Sequence, residues 1–107
     1  MPYIPQKKRE RYDCHIDDLI RRLSHLSNDE LAGDLNYIFF RLSIMLSTSD
    51  VQKGISNASI SSVPIDLGYA RLAIISGALS EAQAEFRRRI MAPYEDKKIY
   101  ENGDVKL

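Results

Sequence analysis

The chain has 107 residues, with 15 basic and 15 acidic side chains, one cysteine and no tryptophan. The length predicts one domain, and a hydrophobic content of 44% is typical of a folded protein and too high for a disordered one. The formal net charge of zero argues against nucleic acid or an anionic membrane as the main partner. The lone cysteine is typical of a protein in a reducing compartment. The sequence also shows no signal-peptide core, and no apolar stretch approaches the ~20 residues that span a bilayer, so we expect the protein in the cytoplasm.

The first predicted helix is defined by apolar residues spaced three and four apart, which form one stripe along an amphipathic helix. This stripe consists of Ile16, Leu19, Ile20, Leu23 and Leu26. The basic run at 7–11 is predicted to form a separate short helical turn entered at Pro5. It is expected to be a solvated arm, and contact with nucleic acid is the weaker alternative.

The second predicted helix begins at Ser27, where Ser-Asn-Asp-Glu has the form of a capping box. Its apolar face contains Leu31, Leu35, Ile38, Phe39, Leu42, Met45 and Leu46. Gly33 inside this pattern marks either a close contact with another element or a late start of the helix. A Ser-rich loop follows at 48–63, and we weigh a flexible connector against a lid over a pocket.

The third predicted helix is the longest, running from about residue 65 to 91 and ended by Pro93. Its apolar positions alternate in steps of three and four, which is heptad-like. A helix of this length exceeds what two shorter helices cover, so we expect part of it to pack on another copy. The remaining C-terminal tail, 93–107, contains a turn signal at Asn102-Gly103-Asp104.

The pattern as a whole predicts a single helical domain over 1–107 and an all-α fold. We expect a small helical bundle with a long C-terminal helix, assembled as a homo-oligomer, because three helices of this length bury limited surface on their own.

Arg41 is the first candidate ligand-binding residue, because it lies in an otherwise apolar stretch where an unpaired charge is costly. One interpretation is an internal salt bridge to Asp34 or Asp66. The other is a guanidinium that receives a phosphate or carboxylate, with Tyr37 as a stacking surface.

A second cluster surrounds Glu85, Arg88 and Arg89, with Tyr94 about one turn further along. A solvated ladder of ion pairs, such as Glu85 with Arg89 at i,i+4, is one interpretation. The alternative is an anion or nucleotide site, because arginine forks suit phosphates and tyrosines stack on bases.

The sequence supports a metal site or an enzyme more weakly than it supports a ligand-binding site. His15 and His25 do not have the spacing of zinc ligands, and Cys14 is the only thiol, so we expect no metal site and no cofactor. The enzyme alternative is a Mg²⁺-dependent nucleotide pyrophosphohydrolase that uses acids on two helices. Its candidate ligands are Asp29, Glu30, Asp34, Glu81 and Glu85.

Short motifs are distributed over nearly the whole chain: MPYIP at 1–5, GDLNY at 33–37, EFxRR at 85–89 (x is Arg87, where the family pattern has an aromatic residue), APYEDKKI at 92–99 and ENGDV at 101–105. In these motifs the chain resembles a family of short all-helical phage and prophage proteins of unassigned function. The resemblance implies one all-α domain and no known activity. By analogy, phages also carry small oligomeric proteins that sequester nucleotide immune signals in pockets between subunits.

The leading hypothesis is therefore a non-enzymatic homo-oligomer that sequesters a nucleotide-derived immune signal, of the cyclic ADP-ribose or cyclic dinucleotide type, between subunits. The predicted ligand-binding residues are Asn36, Tyr37, Arg41, Tyr69, Glu85, Arg88, Arg89 and Tyr94. The first alternative is a protein-interaction module that docks through the third helix and the tail, and the hydrolase is the second.

Overall fold

The computed structural model describes residues 2–47 and 68–106, and all secondary structure within these two stretches is helical. The elements are α1 (Gln6–Leu23), α2 (Asn28–Leu46), α3 (Gly68–Phe86), a π-helical turn (Arg87–Met91) and α4 (Ala92–Asn102). The predicted all-α class and the long C-terminal helix are confirmed. The predicted Ser-rich loop lies outside the described residues.

Helix α1 begins directly after Pro5, whose extended backbone (φ −54°, ψ 143°) leads into the first turn. The Pro5 carbonyl accepts hydrogen bonds from the amides of Lys8 (2.9 Å) and Arg9 (3.1 Å). The prediction of a separate basic turn was therefore wrong. Lysine and arginine are good helix formers, so the basic run forms the first turns of α1 itself.

Helix α2 confirms the predicted N-terminal cap. The Ser27 side chain accepts a hydrogen bond of 3.3 Å from the Glu30 amide, which satisfies one of the free amides of the first turn. Because the helix starts at Asn28, Gly33 lies in its interior and does not mark a late start. A Cβ added at Gly33 would meet nothing within 4 Å, so no described element approaches it closely.

The long C-terminal helix continues through Pro93, contrary to the prediction that this proline ends it. Proline has no amide hydrogen, and its ring crowds the carbonyl four residues earlier, here that of Arg89. A π-helical turn lies at this point, and the Ala92 amide bonds to the Arg87 carbonyl, five residues back. This wider turn lets the backbone stay helical from Gly68 to Asn102, about 50 Å at 1.5 Å per residue.

The helix ends at the predicted turn signal. Gly103 adopts φ 84° and ψ 148°, a conformation that suits glycine, and its amide donates to the Ile99 carbonyl at 2.8 Å. Val105 is exposed, so the last described residues do not dock on the body of the protein.

The helices make little contact with one another, and Ser47, 3% exposed, is the one fully buried residue among those described. Among the described helices, α2 and α3 form a small tertiary contact. There Arg71 Nε donates to the Leu46 carbonyl at 3.0 Å. A shallow apolar groove separates the two helices, and it is lined by Ser43, Ile44, Ser47, Leu72, Ile75, Ser76 and Leu79.

Over the described ranges, no helix combines the length and apolarity needed to cross a membrane.

Candidate functional site

The strongest polar cluster joins the N-terminal segment to the end of α3. The Tyr3 hydroxyl donates a hydrogen bond of 2.9 Å to Glu85 Oε1 and accepts one of 2.7 Å from Arg89 Nη1. The Arg89 guanidinium also lies over the Tyr3 ring, with its Cζ 5.7 Å from the ring centroid. Arg88, one position earlier, forms a hydrogen-bonded ion pair with Glu85. A network of charged and phenolic groups therefore holds the N-terminal segment on the end of α3 and on the π-helical turn that follows it.

An open groove of about 390 Å³ runs beside this cluster. It is lined by Pro2, Tyr3, Ala82, Glu85, Phe86, Arg89 and Ile90. Phe86 and Ile90 are 56% and 58% exposed, so the groove offers accessible apolar surface next to a guanidinium. This combination suits a ligand with a flat or apolar part and an anionic part.

The charges in the groove stabilise one another. The hydrogen bond from Arg88, and then that from Tyr3, hold the pKa of Glu85 below its ordinary value. The same Glu85 carboxylate raises the pKa of Arg88. A guanidinium has five N–H donors, and Arg89 uses one of them on Tyr3, so donors remain for a ligand.

Arg41, the first predicted site residue, is exposed, and its Nη1 donates to the Tyr37 hydroxyl at 3.2 Å. The premise that it is buried was wrong, because Arg41 is exposed and so are the apolar residues on either side of it, Phe40 and Leu42. The ion pair expected with Asp34 does not form, and Asp66 lies outside the described residues. Tyr37 is likewise exposed, which leaves its ring accessible for stacking.

The other predicted site residues lie apart from this pair. Asn36 is exposed on α2, and Tyr69 is exposed in the first turn of α3. Tyr94 lies on α4, where the Lys98 ammonium is 5.5 Å from its ring centroid. Of the predicted set, the described structure brings Glu85, Arg88 and Arg89 into one network through the hydroxyl of Tyr3.

Tyr3 is the residue that the analysis of the sequence missed as part of a site. The available signal was an aromatic side chain between Pro2 and Pro5, in a segment that prolines keep extended. Helical spacing pairs Glu85 with Arg89, but the structure pairs Glu85 with Arg88 and leaves Arg89 to Tyr3.

The acidic residues do not support a metal centre over the described ranges. No group of three or more His, Cys, Asp or Glu side chains there is arranged to hold a metal ion. Glu30 interacts with the Ser27 cap and Glu85 with Arg88 and Tyr3, so both carboxylates have protein partners. Within 2–47 and 68–106, no specific contact favours the hydrolase alternative.

The described residues form a small all-helical protein whose groove places Tyr3 and Arg89 beside the middle of the long C-terminal helix. The chain belongs to the family described as domain of unknown function DUF6899, whose model matches residues 1–105. No curated protein and no solved structure matches the chain. The resemblance to phage and prophage proteins stays a prediction.

Proposed function

We propose that the protein binds a small phosphate-bearing ligand of the nucleotide class, without turnover, in the groove between the Tyr3 segment and the end of α3. The observation that carries this proposal is the placement of Arg89 beside the exposed apolar surface of Phe86 and Ile90. Arginine recognises phosphate by a fork of parallel hydrogen bonds, and aromatic and apolar surfaces pack on bases.

The charged and aromatic residues of the groove each have a role in this proposal. Arg89 binds the phosphate, and the Tyr3 ring and Phe86 contact the base. Glu85 keeps Tyr3 and Arg88 in place, and its carboxylate also accepts hydrogen bonds from a ribose hydroxyl or a base amino group. The exposed Arg41–Tyr37 pair and Tyr94 complete the site only if a second subunit brings them to the groove, as in the predicted homo-oligomer.

Native mass spectrometry and calorimetry with ATP, cyclic ADP-ribose and a cyclic dinucleotide test the proposal. We expect one of these compounds to bind, and Arg89→Ala to weaken its affinity at least about tenfold because the phosphate loses its guanidinium. Arg88→Ala is expected to weaken binding as well. Arg22→Ala, which removes an exposed ion-paired arginine of α1, is the matched control and should bind normally.

Circular dichroism of each variant separates loss of the site from loss of the fold. The immune-signal form of the proposal requires a cyclic compound to bind more tightly than ATP. If none of the three compounds binds, or if Arg89→Ala binds as tightly as the parent protein, the groove is not the proposed site.

A further inference from the structure

The charges of this neutral chain are distributed unevenly. The segments 7–11 and 85–89 together contain seven basic and two acidic side chains, a net charge of +5 that the rest of the chain balances. The structure brings the two segments together, because the hydroxyl of Tyr3 is hydrogen-bonded to Glu85 and Arg89. Lys7 lies four residues after Tyr3, and four residues of extended chain span at most about 14 Å. The result is a basic surface, which consists of Lys7, Lys8, Arg11, Arg87, Arg88 and Arg89.

Most of the charge on this basic surface is available to a partner. Lys7, Lys8, Arg11 and Arg87 are all exposed. The ion pairs among residues 2–47 and 68–106 involve none of these four side chains. The first turn of α1 also contains no acidic residue. Because cations are unfavourable at the positive end of a helix dipole, a bound anion would relieve a repulsion that the chain itself leaves uncompensated.

Two open grooves border the N-terminal segment. The first is the groove of the proposed ligand site, which Pro2 and Tyr3 line together with Arg89. The second groove has a volume of about 460 Å³ and is lined by Pro5, Lys7, Lys8, Glu10 and Arg11. The first groove therefore combines a guanidinium with apolar and aromatic surface, and the second, which begins two residues further along the chain, is basic.

This combination fits a chain of nucleotides better than it fits one nucleotide. A nucleotide held at Arg89 leaves the second groove empty, whereas a nucleic acid has a phosphate at every step and occupies both. Proteins that bind single strands combine a basic groove along the backbone with aromatic side chains on which unpaired bases stack. Tyr3 and Phe86, 45% and 56% exposed, provide that aromatic surface here. A duplex keeps its bases stacked on one another, and an acidic peptide has no base to stack on the rings.

We infer that the protein binds a single-stranded nucleic acid, with one base and its phosphate in the groove at Arg89 and the neighbouring phosphates on the basic start of α1. The inference rests on the proposed function, because it uses the same groove, and it extends the ligand from one nucleotide to a chain. The net charge of zero does not oppose it, since the contacts are local to the basic surface. Contacts to phosphates and stacking on rings carry little sequence information, so we expect little sequence preference.

Fluorescence anisotropy with a labelled single-stranded DNA of about 12 nucleotides tests the inference. Lys7→Gln/Lys8→Gln removes two phosphate contacts, and glutamine is a good helix former at both positions. Each contact with a single strand contributes about 0.7 to the slope of log Kd against log salt concentration. The double variant should therefore lower the slope by about 1.4 and weaken binding about 25-fold at about 0.1 M salt. Arg89→Ala should weaken binding of the same strand at least about tenfold.

Arg21→Gln/Arg22→Gln is the matched control. It removes two exposed cations from the same helix, about 20 Å along α1 from Lys7 and Lys8. We expect it to change the affinity for the strand less than about threefold. Circular dichroism of each variant confirms that the helices are retained.

Three outcomes overturn the inference. The first is an unchanged affinity for the strand in Lys7→Gln/Lys8→Gln or in Arg89→Ala. The second is a strand that binds no more tightly than ATP, which leaves the proposed function intact with a single nucleotide as the ligand. The third is a duplex of the same sequence, or a polyglutamate peptide, that binds as tightly as the strand. Failure of the proposed function is distinguishable, because then neither ATP nor either cyclic compound binds.

Discussion

The N-cap of α2 provides a stability prediction whose size follows from its geometry. Ser27→Ala removes the oxygen that accepts from the Glu30 amide and leaves that amide to water. Loss of such a cap costs about 0.5–2 kcal/mol. The contact is 3.3 Å long, against about 2.9–3.0 Å for a typical hydrogen bond, so we expect about 0.5–1 kcal/mol.

Differential scanning calorimetry at one fixed protein concentration measures this effect. With an unfolding entropy of about 2.1 cal/mol/K per residue, the loss corresponds to about 2–4 °C in Tm. Ser27→Gly should cost only a few tenths of a kcal/mol, because glycine leaves the cap open to water. Ser24→Ala, at the end of α1 in the same turn, is the control and should lie within about 0.5 kcal/mol of the parent protein.

The proposed role of the cap is refuted if Ser27→Ala has the same Tm as the parent protein, or if Ser27→Gly lowers Tm as much as Ser27→Ala does.

Three further predictions concern the other end of the molecule. The hydrogen bonds from Arg88 and then from Tyr3 lower the pKa of Glu85, so the ion pair stabilises the fold above the unfolded-state pKa of about 4.3 and is lost as the pH falls through the lower folded-state pKa. An NMR titration of Glu85 should show a midpoint below 4.3 that moves up in the Tyr3→Phe variant. A midpoint at or above 4.3 contradicts the network. Pro93→Ala restores an amide in the long helix and should stabilise the protein by up to about 3 kcal/mol in thermal unfolding, so a lower Tm contradicts the role given to the π-helical turn. Gly103→Ala places a side chain at φ 84°, so it should accelerate amide exchange at residue 103 while Tm changes little. An unchanged exchange rate shows that the end of α4 accommodates the side chain without strain.

Local signals in the sequence predicted several elements well. The Ser27 cap lies where α2 begins, and the turn signal at Asn102-Gly103-Asp104 lies where the last helix ends. Pro93 is different, because its effect depends on whether the preceding backbone can widen. A five-residue π-helical turn does so here, and no local sequence rule states this in advance.

The candidate site was predictable only in part. Arg88 and Arg89 stood out because they lie close to Glu85 on one predicted helix and arginine forks suit phosphates, and both lie in the polar network. Tyr3 reaches Glu85 across 82 positions of sequence, and helical periodicity carries no information over that separation. Arg41 was judged buried from its apolar neighbours, but those neighbours are themselves largely exposed in the single chain.

The π-helical turn at Arg87–Met91 also sets the rotational phase of the long helix. Because this turn contains one residue more than an α-helical turn, it rotates the side chains of α4 by about 100° around the helix axis. The apolar side chains of α4 therefore do not continue the line of the α3 side chains that face α2, and a heptad pattern read through both segments loses register at this point. The apolar side chains of α3 and those of α4 therefore lie on different sides of the long helix. Insertion or deletion of a single residue in this turn would change the direction in which the apolar side chains of α4 point, although the sequence of α4 stays the same.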